Sequence, residues 1–262
     1  MLDKFLQWLK LNKNSEHTVT TYYRQVDYYG KCCDYNICQE TLNKYLIQLR
    51  EDGKSNNTIN SFKKAMIAYN NYSGIELELP KWKKTKGMGI KYYFTEKDLE
   101  SILHNYCDEK DLILRFMFYT GARPSELKNL LKGHINFNTK DIIFYNAKGN
   151  KDRMVPFLNN KLYEDMKKHC EFLTRENVFS ISYGQLKLIF KEIKRNENIA
   201  DHEIIEPTTM RISFAKYCLK KKIDSMHLQK LMGHSDLTTT LIYAEPNEKE
   251  IKEVCEEIRK EK

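Results

Sequence analysis

The sequence predicts a mainly α-helical chain that carries one small antiparallel β-sheet. Three observations support that class. Apolar residues recur at helical spacing through the first 80 positions, short strand-like runs replace them between Lys132 and Phe157, and helical periodicity then returns almost to the end.

Each element has its own warrant. Leu2, Phe5, Leu6 and Leu9 lie on one face of a first helix. A second helix is expected from Thr18 to Tyr29 and a third from Gln39 to Leu49, stopped by Gly53; a fourth runs from Asn57 to Tyr72, with Asn or Thr able to cap it. The segments opening Ser15-Glu-His-Thr and Ser55-Asn-Asn-Thr echo one another. Each offers a capping side chain ahead of helix N–H groups that are able to meet a phosphate. Further on, Thr95 with Asp98 at the third helical position forms a variant capping box, and an apolar helix covers Lys110 to Tyr119. Short strands are expected at 135–137, 141–146 and 153–157, with Lys148-Gly-Asn-Lys as the hairpin turn.

Composition narrows the function classes. At 262 residues, 41% hydrophobic and 31% charged, the chain has the profile of a soluble globular protein with room for two cores, and no apolar run is long enough to span a bilayer. The N-terminus is amphipathic and lacks the apolar core and cleavage site of a signal peptide, which predicts a cytoplasmic protein. The seven scattered cysteines suggest neither a disulfide framework nor a metal site, and they read as reduced thiols. The net charge of +8 is concentrated, since residues 81–91 hold Lys81, Lys83, Lys84, Lys86 and Lys91 with no acid. Pro80, Gly87 and Gly89 punctuate that stretch as a linker. The expected organisation is a helical domain over 1–80, a basic linker over 81–91 and a second domain over 92–262. The linker lysines are placed to neutralise the phosphates of a DNA duplex.

Residues suited to phosphate chemistry gather in the second half. Arg123 sits at the mouth of a helix beside Pro124, and Arg211 lies in another helix start after Pro207. Two guanidiniums are able to grip both non-bridging oxygens of one phosphate and hold its charge through a pentacoordinate transition state. Lys148 on a hairpin tip is able to protonate a departing oxygen. His234, flanked by Gly233, supplies a hydrogen bond. Tyr243, nine positions beyond His234, is a candidate nucleophile whose phenol, with a pKa near ~10, needs nearby cations and a proton acceptor. None of these residues is specific alone; with 17 tyrosines in the chain, only the joint order carries information.

That order runs Thr-Gly-x-Arg-x-x-Glu-Leu, then Lys-Gly before Val-Pro, Arg with Ser-Phe-Ala, Gly-His-Ser, and the late tyrosine. It resembles the tyrosine recombinases, or phage integrase family, over the whole chain. The resemblance implies a helical core-binding domain followed by a mixed α/β catalytic domain. It implies that Arg123 and Arg211 are the paired arginines, Lys148 the hairpin lysine, His234 the phosphate-contacting histidine and Tyr243 the nucleophile. Glu126 would be an orienting or structural group. The implied reaction is attack of Tyr243 on a scissile phosphate to give a 3′-phosphotyrosine and a 5′-hydroxyl protonated by Lys148, reversed by a 5′-hydroxyl of the partner duplex. No cofactor is implied, neither ATP nor a metal ion. Because the chain begins directly with the first helices, it looks Xer-like, or like a mobile-element integrase without an arm-binding domain.

One position departs from the pattern. The family usually carries histidine three places before the second arginine, where this chain has Thr208, and threonine cannot shuttle a proton near neutral pH. His202 is close enough in sequence to be a substitute, although a surface position is the default. After Pro246, Ile251, Val254, Cys255 and Ile258 form one apolar face. Such a stripe must be covered, either by docking on its own domain or, as the resemblance implies, by docking of the helix over 247–262 on a neighbouring protomer of a tetramer assembled on DNA. Two alternatives stay open: a type IB topoisomerase-like enzyme, recognised by site-independent supercoil relaxation, and a sequence-specific DNA-binding protein impaired by Thr208.

Overall fold

A computed structural model describes residues 2–12, 15–80, 92–105, 108–147, 151–234, 236–241, 255 and 259. The chain divides into two compact units, Met1–Met88 and Gly89–Lys262. The class is the expected one, helices with a three-stranded antiparallel sheet. No helix among the described residues is long and apolar enough to cross a membrane.

The first unit contains α1 (Asp3–Asn12), α2 (Glu16–Cys32), α3 (Gln39–Glu51) and α4 (Asn56–Ser73). Phe5 and Leu9, Val26 and Tyr29, Leu42 and Leu46, and Ile59, Phe62 and Met66 meet in one core, three or four residues apart on their helices as an apolar stripe requires. The Tyr45 and Phe62 rings pack edge to face at 5.0 Å, and the buried Tyr29 hydroxyl shares a hydrogen bond with Thr41 Oγ1. The paired caps are only half realised. Ser55 accepts from the Thr58 amide, but Ser15, although extended at the start of α2, makes no side-chain capping bond.

The second unit begins with α5 (Glu96–Leu103), opened by the expected Thr95–Asp98 capping box, and α6 (Asp108–Thr120). Leu112, Ile113, Leu114, Phe116, Met117 and Phe118 of α6 are all buried, so the helix from Leu112 onward is apolar on most of its faces and packs into the core of the unit. Next come α7 (Pro124–Lys128), a 3-10 turn (Lys132–His134), β1 (Ile135–Asn136), β2 (Asp141–Ala147) and β3 (Lys151–Pro156). The strands pair in the order β1-β2-β3, with Ile142 opposite Val155 and Phe144 opposite Arg153. Alternation sends Ile142, Phe144 and Val155 into the core and leaves Tyr145 and Met154 exposed. β1 is shorter than expected because Asn136 Oδ1 accepts from the amides of Asn138 and Thr139, which turns the chain before Phe137 can pair.

Helices α8 (Asn160–Phe172), α9 (Tyr183–Asn196), α10 (Pro207–Lys220), α11 (Ser225–Met232) and α12 (Leu237–Leu241) complete the described unit. Asn159, Ser182 and Asp224 cap α8, α9 and α11 through their side chains. The described cysteines are free thiols, with Cys170 and Cys218 buried and Cys32 and Cys255 exposed. Burial pushes Cys170 up to about 11 and Cys218 up to about 12, which keeps both protonated and unreactive. The hairpin turn with Lys148, the basic linker with Lys81, Lys83, Lys84, Lys86 and Lys91, and nearly all of the 247–262 tail lie outside the described residues.

Candidate active site

The site starts from a turn that only glycine can make. After α6, Gly121 adopts a left-handed φ of 60°, and a Cβ there would fall 2.4 Å from Phe214 Cδ1. Gly121→Ala is expected to destabilise the protein by roughly 2–5 kcal/mol, combining left-handed strain with overpacking, as measured by urea unfolding. The turn delivers Arg123 to the N-cap of α7 in extended conformation, with Pro124 at the first helical position. Glu126 closes this corner: its Oε2 accepts from the Arg123 amide at 2.8 Å and its Oε1 from Arg123 Nη1 at 2.5 Å.

Arg211 reaches the same corner from α10. Its Nη1 donates to the Gly121 carbonyl at 2.6 Å and its Nη2 to the Met232 carbonyl. Arg123 Nη2 also points at the end of α11, 3.3 Å from the Met232 carbonyl and 3.4 Å from that of Gly233. Gly233 ends α11 in the left-handed region and turns the chain so that His234 Nε2 lies 3.2 Å from Arg211 Nη2. A guanidinium only donates, so Nε2 accepts here and Nδ1 carries the proton toward Thr240 Oγ1, 2.8 Å away. The Thr240 hydroxyl is able to donate as well as accept. The imidazole can therefore reverse its tautomer and present an Nε2 proton to a phosphate oxygen.

A third guanidinium lies underneath. Arg153, on the inward face of β3 with Val155, is 4% exposed and ion-pairs with Glu126 at 2.7 Å. Its guanidinium stacks on the Phe144 ring at 4.2 Å. Burial by itself raises the Glu126 carboxyl, but Arg153 and Arg123 outweigh it and hold the group below its usual value, so it is ionised at neutral pH. Burial draws Arg153 down while Glu126 pulls it back up, and an arginine so paired keeps its charge. Arg123 and Arg153 thus share a single carboxylate while Arg211 reaches the neighbouring carbonyls, leaving an excess of positive charge suited to an anionic ligand.

The structure brings together Arg123, Glu126, Arg211 and His234 from the candidate set. Thr208 is exposed on α10, one turn before Arg211. His202 is on the surface beside Glu203, 3.7 Å away, and does not fold back to the site. Lys148 and Tyr243 lie outside the described residues. Sequence reasoning missed Arg153 and the buried Thr240. Arg153 had a usable signal, because it shares strand parity with the core residue Val155, and a charge on an inward face demands a buried partner.

The phage integrase family profile matches residues 92–250. The tyrosine recombinase XerA of Pyrococcus horikoshii is 27% identical over 273 residues, spanning 99% of this chain and 93% of that protein. XerA of Pyrococcus furiosus is 28% identical over the same length, spanning 98% and 93%. Among solved structures, the Tn1549 transposon integrase in complex with transposon right end DNA shares the fold at a TM-score of 0.68, with 17% identity over 97% of each chain. The XerH site-specific recombinase bound to difH substrate does so at 0.65, with 18% identity over 90% of this chain and 78% of that one.

Proposed function

The chain belongs to the phage integrase family; it is a site-specific recombinase that cleaves and rejoins DNA, and we propose that it does so through a 3′-phosphotyrosine on Tyr243. The observation that carries this reading is the convergence of Arg123, Arg211 and His234 at one corner with excess positive charge. The two arginines neutralise the non-bridging oxygens, and His234 adds a hydrogen bond as charge grows in the transition state. The Tyr243 oxygen bonds to phosphorus as the bond to the 5′ oxygen breaks, and Lys148 supplies that oxygen's proton. Thr208 accepts a hydrogen bond but cannot hold the phenolic proton near neutral pH, so water is assigned as its acceptor. Rejoining reverses these steps from the 5′-hydroxyl of a second duplex.

In this reading residues 1–80 form a core-binding domain, 81–91 a linker whose lysines meet phosphates, and 92–262 the catalytic domain. A groove between α2 and α4 supports the first assignment. It is lined by His17, Thr18, Thr21, Asn57, Asn60 and Lys64, which supply hydroxyls and amides for base edges and cations for the backbone. The 247–262 segment docks on a neighbouring protomer in a tetramer on two duplexes, and the enzyme works in the cytoplasm, in the manner of a Xer or mobile-element recombinase. The test is to incubate the protein with DNA of its source genome and map 3′-phosphotyrosyl junctions. Adducts at a defined site are expected. Scattered adducts accompanied by supercoil relaxation would instead mark a topoisomerase.

A further inference from the structure

Arg153 is saturated. A guanidinium has five N–H donors, and here each meets a different acceptor atom. Nε donates to Glu126 Oε1 at 3.3 Å, Nη1 to the carbonyls of Thr120 (3.4 Å) and Leu231, and Nη2 to the Gly121 carbonyl at 3.3 Å and Glu126 Oε2 at 2.7 Å. No donor is left for a ligand, so Arg153 is not itself a phosphate contact. Its acceptors are nevertheless the ones around which the other two arginines are arranged. The Gly121 carbonyl is shared with Arg211, the Glu126 carboxylate is shared with Arg123, and Leu231 adjoins Met232, whose carbonyl accepts from both. A Cβ at position 233 would fall 2.8 Å from Arg153 Cδ, so the glycine that turns the chain toward His234 also admits this side chain.

We propose that Arg153 is a positioning residue for strand cleavage. From beneath the site it locks the Thr120–Gly121 turn, Glu126 and the end of α11 into one frame, which fixes where Arg123 and Arg211 point. The inference rests on the reading that those two arginines hold the scissile phosphate. Arg153 also joins that frame to β3. Retention of the charge has a physical reason. A hydrophobic residue of similar volume is often as stabilising as a buried ion pair, but it cannot orient five acceptors.

The test uses the full chain on a nicked duplex that traps the covalent adduct, with affinity, single-turnover cleavage rate and thermal midpoint measured together. Lysine keeps the charge but offers three donors from a point. Arg153→Lys is therefore expected to cleave about 10²-fold more slowly with affinity within about threefold, the signature of a misplaced cradle. A methylphosphonate at the scissile position removes the charge that the cradle neutralises, and on it the gap to the unaltered protein should narrow about tenfold. Equal loss of rate and affinity on both substrates, or an unchanged rate, overturns the proposal. If Arg153→Lys does not fold, Glu126→Gln is compared with the Arg153→Met/Glu126→Gln double variant, which buries no unpaired charge; the double variant should be slower by about tenfold at equal affinity, and equal rates overturn the proposal. Arg123→Lys and Arg211→Lys separate the two levels. If neither loses cleavage, the cradle reading itself fails; if both lose it while Arg153→Lys does not, only the role of Arg153 fails.

Discussion

Tyr243→Phe is expected to eliminate the covalent protein–DNA adduct on a nicked duplex while leaving duplex affinity within about twofold. The substitution removes one oxygen and keeps the ring, so the packing and charge that govern DNA binding are preserved while the atom proposed to bond phosphorus is lost. On the proposed mechanism the remaining groups stabilise a developing phosphorane charge but have nothing to attack with. Denaturing gels of protein incubated with end-labelled nicked duplex read the adduct, and gel shifts on the same duplex read binding. An adduct that persists in the Phe variant would transfer the nucleophile to another of the chain's tyrosines. A parallel loss of binding would mean that Tyr243 is a contact residue.

Much of the site was legible because its turns are written in glycine and proline. Gly121 ahead of Arg123-Pro124, Pro207 ahead of Arg211, and Gly233 ahead of His234 each announce a helix boundary that presents a polar side chain at an element's end. Helices with apolar stripes were legible for the same local reason. Arg153 was not, because its meaning lies in partners 27 to 78 positions away in the chain, and no local rule assigns a strand arginine to a distant glutamate. Thr240 closes a run of three threonines, and nothing in the run marks the one whose hydroxyl meets His234. The Ser15 cap failed for a related reason. A serine in the right place with extended backbone still needs its hydroxyl aimed at the first turn, which composition does not determine.

Arg211→Lys is expected to lower the cleavage rate by about 10²–10³-fold, comparable to removing an oxyanion-hole donor, and to cost roughly 1–3 kcal/mol of stability. Both effects come from geometry more than charge. The Arg211 fork spans the Gly121 carbonyl, the Met232 carbonyl and His234 Nε2, which belong to two separate turns, so it sets the distance between the corner that presents Arg123 and the corner that presents His234. A lysine ammonium reaches one of these partners well and leaves the others short of a donor. At 6% exposure the site also penalises a compact charge more than a delocalised one, which draws a lysine there toward its neutral form. Arg123→Lys provides the comparison: its side chain is 18% exposed and its backbone amide still binds Glu126, so the stability cost should be smaller for a similar loss of rate. Single-turnover cleavage with urea unfolding on both variants decides the matter. If Arg211→Lys cleaved within about threefold of the unaltered protein, a point charge would suffice and the fork would have no catalytic meaning.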